Sequence, residues 1–189
     1  MISCDHISKK LGSKEIIQSF SYKFESNQSY SLVGANGAGK TTLLKLLGGL
    51  LIPDSGSIQR NTSMGWFAFS SISLMDRLTG NEQINIFQQS LGGGNHSISL
   101  MNEWKELEGF EEMLCTDLGH CSQGMKALLG LYISTLRGAE TLLWDEPLAT
   151  LSPRNQSILL SNWEKFTGAK SLIITHHGDS LSQFHEVSL

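Results

Sequence analysis

Apolar residues in this chain recur with two different periods, and the alternation between them predicts a layered α/β protein. Tyr30-Ser31-Leu32-Val33 is a β-prone run that ends at a glycine, and from Thr42 to Leu50 leucines return at helical spacing. Strand, loop and helix therefore follow one another. Ahead of them, the first eight residues and Ile16 to Phe24 read as short strands, and Ser57 to Phe69 offers two more around Met64-Gly65. These segments suggest an antiparallel layer beside a main sheet.

From Leu78 to Leu114 the pattern turns helical. Met101, Trp104, Leu107, Phe110 and Met113 stand three apart, which predicts one helix face, and Gly92-Gly93-Gly94-Asn95 predicts a mobile connecting turn. The Met and aromatic stripe reads as a buried packing face. An apolar helix from Met125 to Leu136 precedes the strand Thr141-Leu142-Leu143-Trp144. The next helix opens at Ser152-Pro153, with serine at the cap and proline in the first turn. A last strand, Ser171 to Ile174, leads into Thr175-His176-His177. Alternating strands and helices imply a parallel sheet, which binds ligands beyond the carboxyl ends of its strands.

With 189 residues, 40% of them hydrophobic and 17% charged, the chain is long enough to bury a substantial core. A net charge of −4 gives no overall drive toward nucleic acid or anionic lipid. Cys4, Cys115 and Cys121 are odd in number and contain no Cys-x-x-Cys pair, so a reducing cytosol is expected rather than a disulfide framework or a zinc site. The start, Met1 to His6, has no basic stretch followed by an apolar one, so no secretory signal is expected. The greasiest stretch, Leu43 to Ile52, contains Lys45 and two glycines and falls short of the ~20 apolar residues that span a bilayer. Membrane association is expected only through a partner.

The loop Gly34-Ala35-Asn36-Gly37-Ala38-Gly39-Lys40-Thr41 fits G-x-x-x-x-G-K-[ST] and lies between strand and helix. Glycines let successive backbone N–H groups converge on phosphate oxygens, and the following helix points its positive end at the same anion. Lys40 is expected to reach the β and γ phosphates and the Thr41 hydroxyl to ligate Mg²⁺. Asp145 and Glu146 follow an apolar strand directly, Asp145 suiting the Mg²⁺ shell and Glu146 the attacking water. His176 follows a third strand and suits a hydrogen bond to the γ phosphate. His177 and His185 show no metal-ligand spacing. Lysine, paired acids and histidine, delivered by three strand ends to one sheet edge, describe a nucleotide hydrolysis site.

In order and spacing these motifs resemble the ATP-binding cassette (ABC) ATPases over essentially the whole chain. Gly34 to Thr42 resembles the Walker A loop, Leu142 to Asp145 resembles Walker B, Glu146 matches the catalytic glutamate and His176 the switch histidine. Cys121-Ser122-Gln123-Gly124-Met125 resembles the family signature LSGGQ, with Ser122 and Gly124 in register. The resemblance implies a P-loop NTPase core with a parallel sheet, an antiparallel β layer and a small helical subdomain. It also implies one cassette domain over 1–189, with 1–70 and 126–189 as the nucleotide-binding core and 71–125 as a helical lobe ending in the signature. Ser122 and Gly124 are then expected to cap ATP held by a second cassette, identical or different. Three positions depart from the family pattern: Leu11 in place of an adenine-stacking aromatic, Ser70 in place of the Q-loop glutamine, and Ser152 in place of an aspartate. A serine at 152 keeps the helix cap and loses the charge. The chain is also expected to omit the family's terminal strands after His176.

The same resemblance implies an Mg²⁺-dependent ATPase subunit at the cytosolic face of a membrane, bound to separate transmembrane transporter subunits, with no direct nucleic acid contact. In layout the chain is similar to short single-cassette exporters, including the haem-export type. Two other readings are a soluble cassette switch and the weakly hydrolysing half of a heterodimeric pair. Retention of Glu146 and His176 argues against complete loss of hydrolysis.

Overall fold

A computed structural model describes residues 1–68, 74–91, 100–176, 181 and 183–189. The turn expected at Gly92 to Asn95, the Ser70 position and His177 lie outside the described residues. The chain divides into two compact units, one made of Met1–Trp66, Glu140–Glu146 and Lys170–Leu189, the other of Phe67–Ala139 and Pro147–Ala169.

In the first unit, β1 (Ile2–Leu11) and β2 (Lys14–Phe24) are longer than the short strands expected. They pair antiparallel with register shifts after Cys4, and His6 and Ser19 both take a positive φ of 45°. Those irregularities break the period of two on which the reading of strand length depended. After β3 (Tyr30–Val33) and α1 (Lys40–Leu47), β4 (Ser55–Arg60) joins the other edge of β1, giving the antiparallel order β2-β1-β4. The main sheet holds β5 (Met64–Ala68), β6 (Thr141–Asp145), β7 (Ser171–Thr175), β3 and β8 (His185–Ser188) in the order β5-β6-β7-β3-β8. Strand pairs β6/β7, β7/β3 and β3/β8 are parallel.

The structure corrects two expectations. The β5 segment, expected in the antiparallel layer, is an edge strand of the main sheet. One strand, β8, does follow His176: its sequence His-Glu-Val-Ser buries only Val187, which gives no periodicity to read. By contrast β6 and β7 are buried at every position, as central parallel strands covered on both faces should be.

Leu43, Leu44, Leu46 and Leu47 of α1 sit in one cluster with Ile2, Cys4, Ile7, Ile17 and Phe24 of the antiparallel layer and with Leu32, Leu143, Ile173 and Val187 of the main sheet. The helix after the glycine loop is thus fixed by burial from both layers. Its far end is held by Arg60, which donates from Nε to the Leu47 carbonyl (2.8 Å) and from a terminal nitrogen to that of Leu46 (2.6 Å). A guanidinium at a helix C-terminus satisfies orphan carbonyls and meets the negative end of the dipole.

The second unit is largely helical. Its α2 (Gly80–Ser90) opens on a capping box in which the Thr79 hydroxyl accepts from the Glu82 N–H and the Glu82 carboxylate accepts from the Thr79 N–H. Donation from the Thr79 N–H, and then from its hydroxyl, holds the Glu82 carboxyl below its ordinary pKa. The stripe expected to form one helix is split into α3 (Met101–Trp104), which passes after Lys105 into tighter turns, and α4 (Phe110–Cys115), which Gly109 opens with a φ of 85°. Four of the stripe's five residues are buried as expected, Trp104, Leu107, Phe110 and Met113 being at most 1% exposed, and Met101 is half-buried. Trp104 packs edge-on against Tyr132 of α5 (Gln123–Thr135) and Phe166 of α7 (Trp163–Thr167), and its indole N–H donates to the Phe166 carbonyl at 2.6 Å. Asn155 of α6 (Pro153–Ser161) exchanges two 3.0 Å bonds with the Glu108 backbone. Ser152 caps α6 by accepting from the Asn155 N–H, as its position before Pro153 predicts.

Burial also separates the cysteines: Cys4 and Cys121 are buried and Cys115 is exposed. Desolvation pushes the Cys4 thiol up to about 11, against a smaller opposing pull from Arg60, and raises that of Cys121 as well. Since the thiolate is the reactive form, roughly one Cys4 in a thousand is ionised at pH 8. A chromogenic disulfide reagent at that pH should therefore react rapidly with one thiol per folded chain and with three in denaturant. Rapid reaction of two or more in the folded protein would contradict this packing.

Candidate functional site

From Val33 at the end of β3 the chain turns through the glycine-rich loop into α1, whose first residue is Lys40. Gly39 takes a φ of 104°, and a Cβ there would stand 2.8 Å from Ile16 Cγ2 and 2.9 Å from Ile17 Cδ1. Backbone conformation and space both exclude a side chain. No side chain caps α1 and no acid lies in its first turn, so its leading N–H groups and positive dipole end are left for an anion. Lys40 is only 5% exposed, and its ammonium donates to the carbonyls of Gly34 (2.8 Å) and Ala35 (3.2 Å). The cation is held inside the loop that precedes it.

Next to Lys40, the Thr41 hydroxyl donates to Asp145 Oδ1 at 3.0 Å. Asp145 closes β6 and is 7% exposed. Parallel pairing of Trp144 with Ile174 sets the last residue of β7, Thr175, beside this strand end. Thr175 donates from Oγ1 to the same Asp145 oxygen (2.8 Å) and accepts the Glu146 N–H (2.7 Å). Glu146 itself is exposed and takes a φ of 49°, a left-handed conformation uncommon for a residue with a side chain. Such a conformation costs about 1–3 kcal/mol and persists only where neighbours impose it. The Thr175 hydroxyl is one such neighbour.

A cavity of about 600 Å³, lined by Lys14, Ile16, Asn36, Gly37, Gly39, Lys40, Thr41, Thr42 and Glu146, opens beside these groups. That volume accommodates a ligand of nucleotide size. Seven of the lining residues, the five from 36 to 41 together with Thr42 and Glu146, are among those singled out from the sequence. Asp145 lies behind Thr41 rather than on the wall, and Gly34, Ala35 and Ala38 belong to the loop without lining the cavity. His176 follows Thr175 at the end of β7, half-buried and outside the lining. Leu11, at the end of β1, is 48% exposed and likewise outside it. Among the described residues, no aromatic side chain lines the cavity.

Ser122 and Gly124 lie in the other compact unit. Ser122 is the N-cap of α5, its hydroxyl accepting from the Met125 N–H at 3.2 Å. A Cβ on Gly124 would meet the Thr150 carbonyl at 2.9 Å, so the small residue permits close approach of the loop after Glu146.

Three residues of this constellation escape a reading of the sequence. Lys14 and Ile16 carry no motif and reach the cavity only because β2 starts against the glycine loop. Thr175 looks like an ordinary strand residue until the β6/β7 register is known.

The Thr41 hydroxyl and the Asp145 carboxylate, 3.0 Å apart, are oxygen groups of the kind that magnesium takes alongside phosphates. Among the described residues no cluster of three or more histidine, cysteine, aspartate or glutamate side chains is arranged to hold a metal. Among them, too, no helix is long and apolar enough to cross a membrane.

Comparison with known proteins agrees with the geometry. The chain is 26% identical to the capsule polysaccharide export ATP-binding protein CtrD of Neisseria meningitidis serogroup B, over 97% of this chain and 87% of that one. It is 27% identical to the Nod factor export ATP-binding protein I of Burkholderia lata, over 91% of this chain, and spans only 61% of that relative's length. Its fold is similar to the dimeric post-hydrolysis structure of the ATP-binding cassette MJ0796 bound to ADP and Pi, with a TM-score of 0.78 and 16% identity over 94% of this chain and 88% of that one. The family model described as ABC transporter matches residues 17–149, well over half of the sequence, and the chain belongs to that family.

Proposed function

We propose that this chain binds and hydrolyses Mg-ATP as the ATP-binding subunit of an ABC transporter and thereby drives separate transmembrane subunits. One observation carries the reading: the glycine loop, Lys40, Thr41 and Glu146 converge on a single cavity, with Asp145 bonded to Thr41 behind it. The export functions named for the capsule and Nod factor relatives favour export as the direction of transport.

Each residue then has a task that fits its position. Loop N–H groups from Gly34 to Gly39 and the start of α1 receive the phosphates, and Lys40 exchanges its two carbonyl partners for β and γ oxygens. Thr42 completes the loop. Thr41 and Asp145 hold Mg²⁺, which when bound neutralises phosphate charge. Glu146 orients the water for in-line displacement and accepts its proton, and His176 donates to the γ phosphate. Ser122 and Gly124, at the start of α5, serve ATP bound to a second cassette, and the dimeric form of the MJ0796 cassette supports the presence of such a partner. Lys14 and Ile16 flank the base, in place of the aromatic residue missing at Leu11. The lobe 71–125 faces the membrane subunits, which places the chain at the cytosolic membrane surface.

Affinity purification of the tagged chain from its own cells, in mild detergent with ATP, tests the assembly. A membrane protein of several spans should co-purify. Ribosomes in place of it would transfer the ATPase to a soluble switch.

A further inference from the structure

We propose that Thr175 is a positioning residue for the proposed hydrolysis, its one hydroxyl fixing both the carboxylate of Asp145 and the backbone of Glu146. This role rests on the nucleotide site proposed for the glycine loop and adds to it a residue that makes no contact with the cavity.

The hydrogen-bond directions follow from the chemistry. An ionised carboxylate only accepts, so at 2.8 Å from Asp145 Oδ1 the Thr175 hydroxyl must be the donor. Its lone pairs are then turned to other donors, and the Glu146 N–H fills one of them at 2.7 Å. Asp145 Oδ1 receives a second hydroxyl from Thr41 at 3.0 Å, so the side chain that pairs with the phosphate-loop threonine is held from two sides. Rotation of the carboxylate would break both bonds together.

The bond to Glu146 acts on the backbone. A glutamate with φ 49°, immediately before Pro147, tends to relax toward an extended conformation, which would swing its side chain away from the cavity edge. Donation of its N–H to Thr175 opposes that relaxation. Thr175 is 1% exposed, so no water replaces the hydroxyl when it is removed. It also follows Leu172, Ile173 and Ile174, all buried and apolar, and is the point at which the strand becomes polar. Positioning groups of this kind, one bond away from a metal ligand, typically carry roughly 10–100-fold of metal affinity or activity.

Thr175→Val keeps shape and strand preference and removes both bonds, whereas Thr175→Ser keeps the hydroxyl. Three quantities are read for each variant: ADP affinity in EDTA, Mn²⁺ affinity of the ADP-bound protein by electron paramagnetic resonance, and phosphate release split into kcat and KM. For valine, ADP affinity in EDTA should stay within about 2-fold, Mn²⁺ affinity should fall about 10-fold, and kcat should fall about 30-fold with KM changed less than about 3-fold. Serine should restore all three to within about 3-fold. Valine indistinguishable from wild type in the Mn²⁺ titration, or serine no better than valine, overturns the assignment. If wild type binds Mn-ADP and releases no phosphate, the hydrolysis reading fails while the Mn²⁺ comparison still decides the role of Thr175. Should the valine variant not fold, amide hydrogen exchange in the unaltered protein decides: the Glu146 N–H should be protected, and exchange at the rate of an open amide overturns the proposal.

Discussion

Lys40→Ala should weaken ATP binding at least ~100-fold while leaving thermal unfolding within a few degrees of wild type. The ammonium is buried to 5% exposure and already bonded to the carbonyls of Gly34 and Ala35, so it sits at the centre of the loop and has little distance to travel to a phosphate. Binding exchanges two neutral carbonyls for anionic phosphate oxygens, and the added attraction between opposite charges at that range, about 4 kcal/mol near a protein surface, exceeds the ~2.8 kcal/mol that a 100-fold change represents. Stability is expected to survive because Gly34 and Ala35 are exposed, so water takes over their carbonyls, and because alanine is a strong helix former at the first position of α1. Titration calorimetry with ATP, beside a melting curve, separates the two effects.

Glu146→Gln should do the opposite. Size, backbone and the Thr175 contact are unchanged, so ATP affinity is expected within about 3-fold of wild type. An amide accepts no proton from water, and loss of a general base costs about 10²–10⁴-fold in rate. ATP that binds and is not consumed should also hold two cassettes together, giving an ATP-dependent shift to a dimer in size-exclusion chromatography. A variant that turns over at the wild-type rate would remove Glu146 from the chemistry.

These two residues were legible in the sequence for a physical reason. Phosphate binding is done by backbone N–H groups over eight consecutive residues, so Gly34 to Thr41 carries its whole geometry in local order. Asp145 and Glu146 are marked by the apolar strand they end. Thr175 has no such local mark: its partners are 29 and 30 positions away, and only the parallel register of β6 and β7 makes them neighbours. Lys14 and Ile16 were hidden in the same way, behind the pairing that brings β2 against Gly39.

The fold shows a similar division. Long apolar runs such as Leu142 to Trp144 and Leu172 to Ile174 declare buried parallel strands by composition alone. Sheet membership is a non-local property, and the Met64 segment reads as part of the wrong layer because adjacent strands in sequence, β4 and β5, belong to different sheets. Spacing of three identified the buried face from Trp104 to Met113 but not the break between Lys105 and Gly109, since the turns that separate α3 from α4 keep the same side chains buried.

Phosphate release by the purified wild-type chain at saturating Mg-ATP tests the central claim most directly. The site predicts release that saturates with ATP, stops on addition of EDTA and exceeds that of Glu146→Gln by about 100-fold or more. Wild-type protein that binds ATP and releases phosphate no faster than Glu146→Gln would contradict it.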